Sequence, residues 1–351
     1  MFLAHDLLVL AGVEVVVDDS DNIYVVTTTF SSDYPLVNSG VGGNAGACDA
    51  GITKLNPTAT NFIWSTMYGG STDDQGYGIK VSDNGFVFIT GGTLSSNLPG
   101  MTNGASDTYN NNTDGYIARF TSNGVLSGAT YLGTASYDQS FLIDTDKNNA
   151  VYVFGQSQGN YPRTTNIWGS GSPRHFVHKF SNDLTRTIWS TAFGSTTSGS
   201  ISLVPTAFNV DDCLNILISG WGGAVNGSGN FLGGNVRGLP ISSDAVQSGT
   251  DGSDFYFMQI AANATALNYA TYFGGSVNEH VDGGTSRFSP EGEIYQAVCA
   301  GCGGSNSFPV TSGAYSTTNN SGNCNLGNVK FNFEVSIEAA ASVDYTADVD
   351  T

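Results

Sequence analysis

Residues 63–93 read IWSTMYGGSTDDQGYGIKVSDNGFVFITGGT. The pattern is strand, Gly-rich turn, strand, tight turn, strand, and its landmarks return along the chain. The aromatic–Gly step Tyr68-Gly69 has counterparts at Leu132-Gly133, Phe193-Gly194 and Phe273-Gly274. The apolar run Phe86–Ile89 is echoed at Ile23–Val26, Val151–Phe154, Ile216–Ile218 and Ile294-Tyr295. A further apolar element follows each, opening at Asp49, Asp114, Arg174, Asp254 and Asn328. A unit of four short strands repeated about five times at roughly 65 residues predicts an all-β fold, a β-propeller of four-stranded antiparallel blades. Residues 1–335 are expected to form it, with the set of blades incomplete.

Composition agrees. Of 351 residues, 46 are Gly and only 11 are Lys or Arg, while 40% are hydrophobic and 11% aromatic. Such a chain is rich in turns and strands and has enough β-branched and aromatic residues to bury a core. A net charge of −19 argues against nucleic acid and against an anionic membrane surface. Calcium is the one cation that this acidity favours. No apolar run is long enough to span a bilayer, and membrane insertion is not expected. The start, MFLAHDLLVLAGVEVVV, has no basic residue ahead of its apolar core and makes a poor signal peptide. Placing Ile23 on Phe86 puts Asp6 on Gly69, so the chain is expected to start inside the last strand of a preceding blade. Ser336–Thr351 changes character and reads as a linker into a further module.

Strands alternate direction in an antiparallel blade, so successive connections alternate between two faces. The long loops after the FVFITGG-type strands therefore share a face with the Gly-rich turns, and the short turns share the other. Binding is expected on the elaborated face. There Trp168, Trp221 and Phe231 are candidates to stack on a sugar, weighed against anchoring their own loops.

Three acids stand five residues after the turn glycines: Asp74, Asp138 and Glu279, with Gly199 at the same place in another copy. A catalytic acid is needed once, or as one pair, so a repeated acid reads as a structural turn residue. Asp49, Asp114 and Asp254 read the same way, as hydrogen-bonding residues that open strands. Asp144, Asp146 and Asn148 resemble the start of a calcium loop, but the Gly and Glu that would complete one are missing. Cys299, Cys302 and Cys324 lie near His280 and Asp282. The ligand types suit zinc, but a second CxxC is missing, and a disulfide of Cys324 with Cys299 or Cys302 is the preferred reading. No Ser-His-Asp arrangement, P-loop or dinucleotide fingerprint is found. No catalytic residue is assigned, and no enzymatic activity is expected.

The stretch TMYGGSTDDQGYGIKVSDNGFVFITGGTLSSNLPG resembles the SBBP repeat, a β-propeller repeat of bacterial surface proteins. The matching residues are Gly69-Gly70, Asp73-Asp74, Gly91-Gly92 and Ser95–Pro99, with echoes at Ser31–Pro35 and Ser305–Pro309. Later segments, among them SGWGG, LPISSDAVQSGTDGSDFYF and YQAVCAGCGG, resemble large secreted Bacteroidetes proteins related to gliding motility. Those proteins carry PKD-type modules and a type IX secretion sorting domain after the propeller. The resemblance implies an exported, cell-surface or secreted protein, covalently continuous with further modules. It implies an adhesive or structural scaffold whose partner is an extracellular glycan or surface protein. A glycan-binding lectin is the first rival reading, and a propeller polysaccharide lyase or glycosidase the second.

Overall fold

A computed structural model describes residues 13–41, 46–223, 234–281, 286–289 and 292–333. Phe231, Asp282, the first twelve residues and the tail from Ser336 lie outside them. The fold is a β-propeller of antiparallel blades. The first blade is β1 (Val13–Val17), β2 (Ile23–Thr29), β3 (Asp49–Leu55) and β4 (Phe62–Tyr68). The second is β5 (Gly78–Val81), β6 (Val87–Thr93), β7 (Asp114–Phe120) and β8 (Leu126–Leu132). Next come β9 (Asp138–Thr145), β10 (Val151–Ser157), β11 (His175–Phe180) and β12 (Thr187–Phe193). The fourth blade holds β13 (Val204–Val210), β14 (Ile216–Trp221), β15 (Phe255–Ile260) and β16 (Leu267–Phe273). The last is a sheet of three, β17 (Ser286–Phe288), β18 (Glu293–Ala300) and β19 (Asn325–Asn332). Sheet order follows chain order in all five.

The described chain forms two compact units, residues 13–143 with 181–186, and residues 144–180 with 187–333; the division falls within β9. In the first unit the core runs across both blades and includes Tyr24, Ile52, Trp64, Tyr68, Ile89, Tyr116 and Phe120. Rings meet edge-on, with Tyr24 and Trp64 centroids 6.2 Å apart and Tyr68 and Phe120 5.9 Å apart. In the second unit Phe257 stacks on Phe331 at 4.8 Å and Phe154 on Phe208 at 5.8 Å. The second strands β6, β10 and β14 are buried at every position. A sheet covered on both faces loses the polar–apolar alternation that one wet face would impose. Fourth strands β4, β12 and β16 are open to solvent only at their first two residues.

Two details recur that the residue pattern did not announce. Pairing between the third and fourth strands slips at one place in four blades, at Lys54/Leu55, Arg119/Phe120, Lys179/Phe180 and Gln259/Ile260. A β-bulge at a fixed position sharpens the twist that each blade needs. The second detail is a polar clasp at the first hairpin. Asp18 accepts from the Tyr24 hydroxyl at 3.0 Å and pairs with Lys54 at 3.5 Å, and Lys54 lies over the Tyr24 ring. Asp146, Tyr152 and Lys179 repeat it, at 3.0 Å for both contacts. Glu293, Tyr295 and Lys330 form a more exposed version in the last sheet.

Gly91 shows how tightly the Gly-rich turn is held against β6. A Cβ built there would stand 1.6 Å from the Gln75 carbonyl oxygen, a backbone atom that cannot swing aside. Gly249 has nothing within 4 Å. Gly91→Ala is therefore expected to destabilise the first unit by about 3 kcal/mol or more, and Gly249→Ala to stay within about 0.5 kcal/mol of the parent. Urea denaturation of the two variants beside the parent measures this.

Candidate functional site

The repeated acids are the parts of one recurring joint. Asp74, Asp138 and Glu279 each donate their backbone N–H to the residue just before a strand-opening acid: to Cys48 O at 2.8 Å, Thr113 O at 2.7 Å and Ser253 O at 3.3 Å. Their side chains turn back over the turn glycine. The Asp74 carboxylate accepts from Gly70 N at 2.6 Å, from Ser95 Oγ at 2.8 Å and from Thr93 Oγ1. The Asp138 carboxylate accepts from Thr134 N at 2.6 Å and Thr134 Oγ1 at 2.7 Å. The SSN loop closes over the same turn, where Asn97 Oδ1 accepts from Ser71 N and Ser95 Oγ from Thr72 N. Asp74 and Asp138 thus hold the backbone and hydroxyls of their own turns.

Each turn acid also faces a strand-opening acid across the glycine. A Cβ on Gly69 would meet Asp49 Oδ1 at 2.1 Å and Asp74 Oδ2 at 2.9 Å; one on Gly274 would meet Asp254 Oδ1 at 2.2 Å and Glu279 Oε2 at 2.9 Å. The two carboxylates therefore lie within about 5 Å of each other, the range in which like charges disfavour ionisation. Gly133 sits in the same way between Asp114 and Asp138. All six acids are buried. Burial first, then the facing acid, push Asp114 up to about 7. Burial raises Asp74 to about 6 against the hydrogen bonds that hold it down, with Asp49 adding to the rise. Asp254 rises to about 6 and Glu279 to about 8, again chiefly by burial. Where the third-blade copy has Arg174 and Gly199 instead, the Arg174 guanidinium donates to Gly199 O, and also to Gln158 O at 2.7 Å and Gly159 O at 2.6 Å. One cation on three carbonyls replaces two acids.

The other candidates separate. Trp221 is 2% exposed on β14, its ring 6.1 Å from that of His280, and offers no face to a sugar. Trp168 is half-buried and leans on Phe193 at 6.2 Å, with its backbone N–H on Ala264 O at 2.8 Å. Both anchor structure, which corrects their assignment as ligand contacts. The calcium reading of the 144–148 turn is also corrected. Asp146 accepts from Asn148 N, Ala150 N and the Tyr152 hydroxyl and pairs with Lys179, so an ammonium already holds the cation position. Asp144 accepts from Val210 N at 2.8 Å and Thr145 N at 2.8 Å, and the Asn148 side chain supplies no contact that would change this.

The cysteines resolve as Cys302–Cys324, one of the two pairings left open. Cys299 lies outside the bridge on β18, where its backbone exchanges two hydrogen bonds with His280, at 2.9 and 3.2 Å. Beside the disulfide the loop after β18 forms an open pocket of about 120 Å³. Its walls include Tyr315, Leu326, Val310, Asn306, Asn319 and Asn325. Asn319 ties it together, donating from Nδ2 to Gly301 O and Asn323 O, both at 2.9 Å. Tyr315 is 82% exposed and Leu326 70%. The sequence singled out the cysteines of this loop but not Tyr315 or Asn319. The SNSFP segment of this loop echoes the SSNLP segment of the second blade, so the residues that differ lie beyond it, from Val310 onward.

Comparison with known proteins gives the repeat a name. Residues 63–99 match the SBBP beta-propeller repeat family. No curated protein matches the chain. Among solved structures it is similar to an ulvan lyase of polysaccharide lyase family PL25, at 13% identity and TM-score 0.42, covering 91% of this chain and 68% of that one. It is similar to a Synechocystis apocarotenoid oxygenase mutant, at 8% identity and TM-score 0.40, covering 95% of this chain and 59% of that one. A third is the β-propeller domain of the Trilobed protease from Pyrococcus furiosus, at 7% identity and TM-score 0.38, with 97% and 84% covered. The expectation of a chain without enzymatic activity is set aside: a polysaccharide lyase and an oxygenase stand among these neighbours, at a likeness that assigns no activity to this chain. Likeness at this level concerns the fold alone. Among the described residues no helix is long and apolar enough to cross a membrane.

The paired acids carry a pH dependence. A carboxyl whose folded value is raised keeps its proton better when folded, so its contribution is complete below the unfolded value of 3.8 and is lost as pH rises through about 6 to 7. The urea midpoint is expected to fall between pH 4 and 7.5 by this contribution. Asp114→Asn, which keeps the shape and removes one titration, is expected to flatten the fall. A parent and variant with the same slope would show that the pair does not titrate in this window.

Proposed function

We propose that the chain is an exported β-propeller scaffold that binds a neutral glycan at the pocket of its last sheet. The observation that carries this reading is Tyr315. It is 82% exposed, packs in no ring cluster among the described residues, and stands in the wall of a pocket rich in asparagine amides. An aromatic face flanked by amide donors and acceptors suits a sugar ring, whose apolar face stacks while its hydroxyls need both kinds of partner. The net charge of −19 supports a neutral polymer over a sulfated or otherwise anionic one. The pocket belongs to a long loop on a rigid repeat, where recognition residues concentrate. Placement outside the cell, where such a scaffold would contribute to adhesion, rests on the sequence's resemblance to repeats of bacterial surface proteins.

The experiment is a glycan array probed with the purified chain, followed by calorimetry on the best neutral oligosaccharide. Tyr315→Ala is expected to weaken binding at least tenfold, and Trp168→Ala to leave it unchanged. Failure to bind any neutral glycan, or equal affinity of Tyr315→Ala and parent, would overturn the reading.

A further inference from the structure

The same loop brings a second group of atoms together. His280 precedes the last sheet and is 8% exposed, with its backbone bridged to Cys299. Its Nδ1 lies 3.8 Å from Cys302 Sγ, and the ligand atoms of His280, Cys302 and Cys324 all fall within 4.8 Å of one another. Three chain segments supply them: the turn after β16, the tight turn after β18, and the residue just ahead of β19. The glycan reading uses none of the three.

We propose that, once the Cys302–Cys324 bridge is reduced, these three side chains form a binding site for a thiophilic divalent cation such as Zn²⁺. Two thiolates and an imidazole are the donor set such an ion prefers, and they converge at a span that one ion can bridge with small side-chain shifts. Three protein ligands leave the fourth tetrahedral position open to solvent or to a ligand, the arrangement of sites that polarise a bound molecule. The backbone bridge between His280 and Cys299 fixes the main chain that carries the imidazole to the edge of β18 before any ion arrives.

The chemistry balances with an external dithiol as reductant. The dithiol gives two electrons and two protons to the S–S bond, leaving two cysteine thiols and its own disulfide. The cation then takes both sulfurs as thiolates, two protons go to solvent, and His280 binds through a neutral nitrogen lone pair. Oxidation reverses the first step and expels the ion. Disulfide and metal site are thus two exclusive states of one loop, selected by the redox poise around it.

The test uses Co²⁺ as a spectroscopic probe on the full chain, reduced with a thiol-free phosphine and compared with the oxidised chain. Expected is one Co²⁺ per reduced chain, with thiolate-to-cobalt charge-transfer absorption and tetrahedral d–d bands. The oxidised chain should show neither. His280→Ala should weaken the reduced complex at least tenfold, and Cys302→Ser should abolish the charge-transfer band while the circular dichroism of the blades is retained. Cys213→Ser, in a turn remote in sequence from the cluster, should change nothing. A reduced chain that leaves Co²⁺ unbound would overturn the proposal, and so would a charge-transfer band that survives Cys302→Ser or is lost in Cys213→Ser. Should Cys302→Ser fail to fold, His280→Ala, which leaves the disulfide possible, decides the matter alone.

Discussion

Three of the joints that follow a blade's last strand depend on a buried acid folded over a glycine. When a blade is covered on both faces, the chain leaving its last strand has no solvent in which to satisfy its backbone. Asp74 solves this for the turn after β4, taking one backbone N–H and two hydroxyls while its own N–H reaches the carbonyl of Cys48. Those contacts fix why Gly69 and Gly70 lack side chains. Asp49 and Asp74 occupy the space over one, and Ser95 and Asn97 the space over the other. They also fix where the long loop goes, because Ser95 and Asn97 are its first polar residues and they land on the turn. The cost is two acids close together in the interior, which lifts their proton affinity.

The repeat was legible because its landmarks sit in turns, where only a few residue types fit. The polar DDSDN turn between two β-branched runs forms the first hairpin, residues 13–17 and 23–29. The third strands begin at Asp49 and Asp114 themselves, where the repeat puts their openings, because a buried acid that pairs with the next turn can start a ladder that hydropathy alone would begin later. The bulges were invisible, since a register slip between Lys54 and Leu55 leaves no trace in residue type. Arg174 and Gly199 were seen as departures from the pattern, yet only their contact shows that the two substitutions answer each other.

Function was less legible for a related reason. Repetition explains what is shared, while recognition lies in what is not, and residues without a counterpart have no alignment to interpret them. Tyr315 and Asn319 come together with Gly301 and Leu326 across the far part of a loop whose first residues alone follow the repeat. Trp221 misled because its Gly-rich surroundings looked like an open loop, whereas it ends a central strand and is covered by the last sheet's approach through His280.

The joint also shows where one copy of the repeat physically ends. Each clasp borrows its carbonyl and first acid from the third strand of one blade and its second acid from the threshold of the next. An ancestral duplication that copied whole blades would have left every copy with half a clasp at each margin, completed only by a neighbour. A single blade of this kind has nothing to close upon. Tandem copies would complete one another in this way, and at the seam after β12 the Arg174 guanidinium reaches Gly199 O across the same margin.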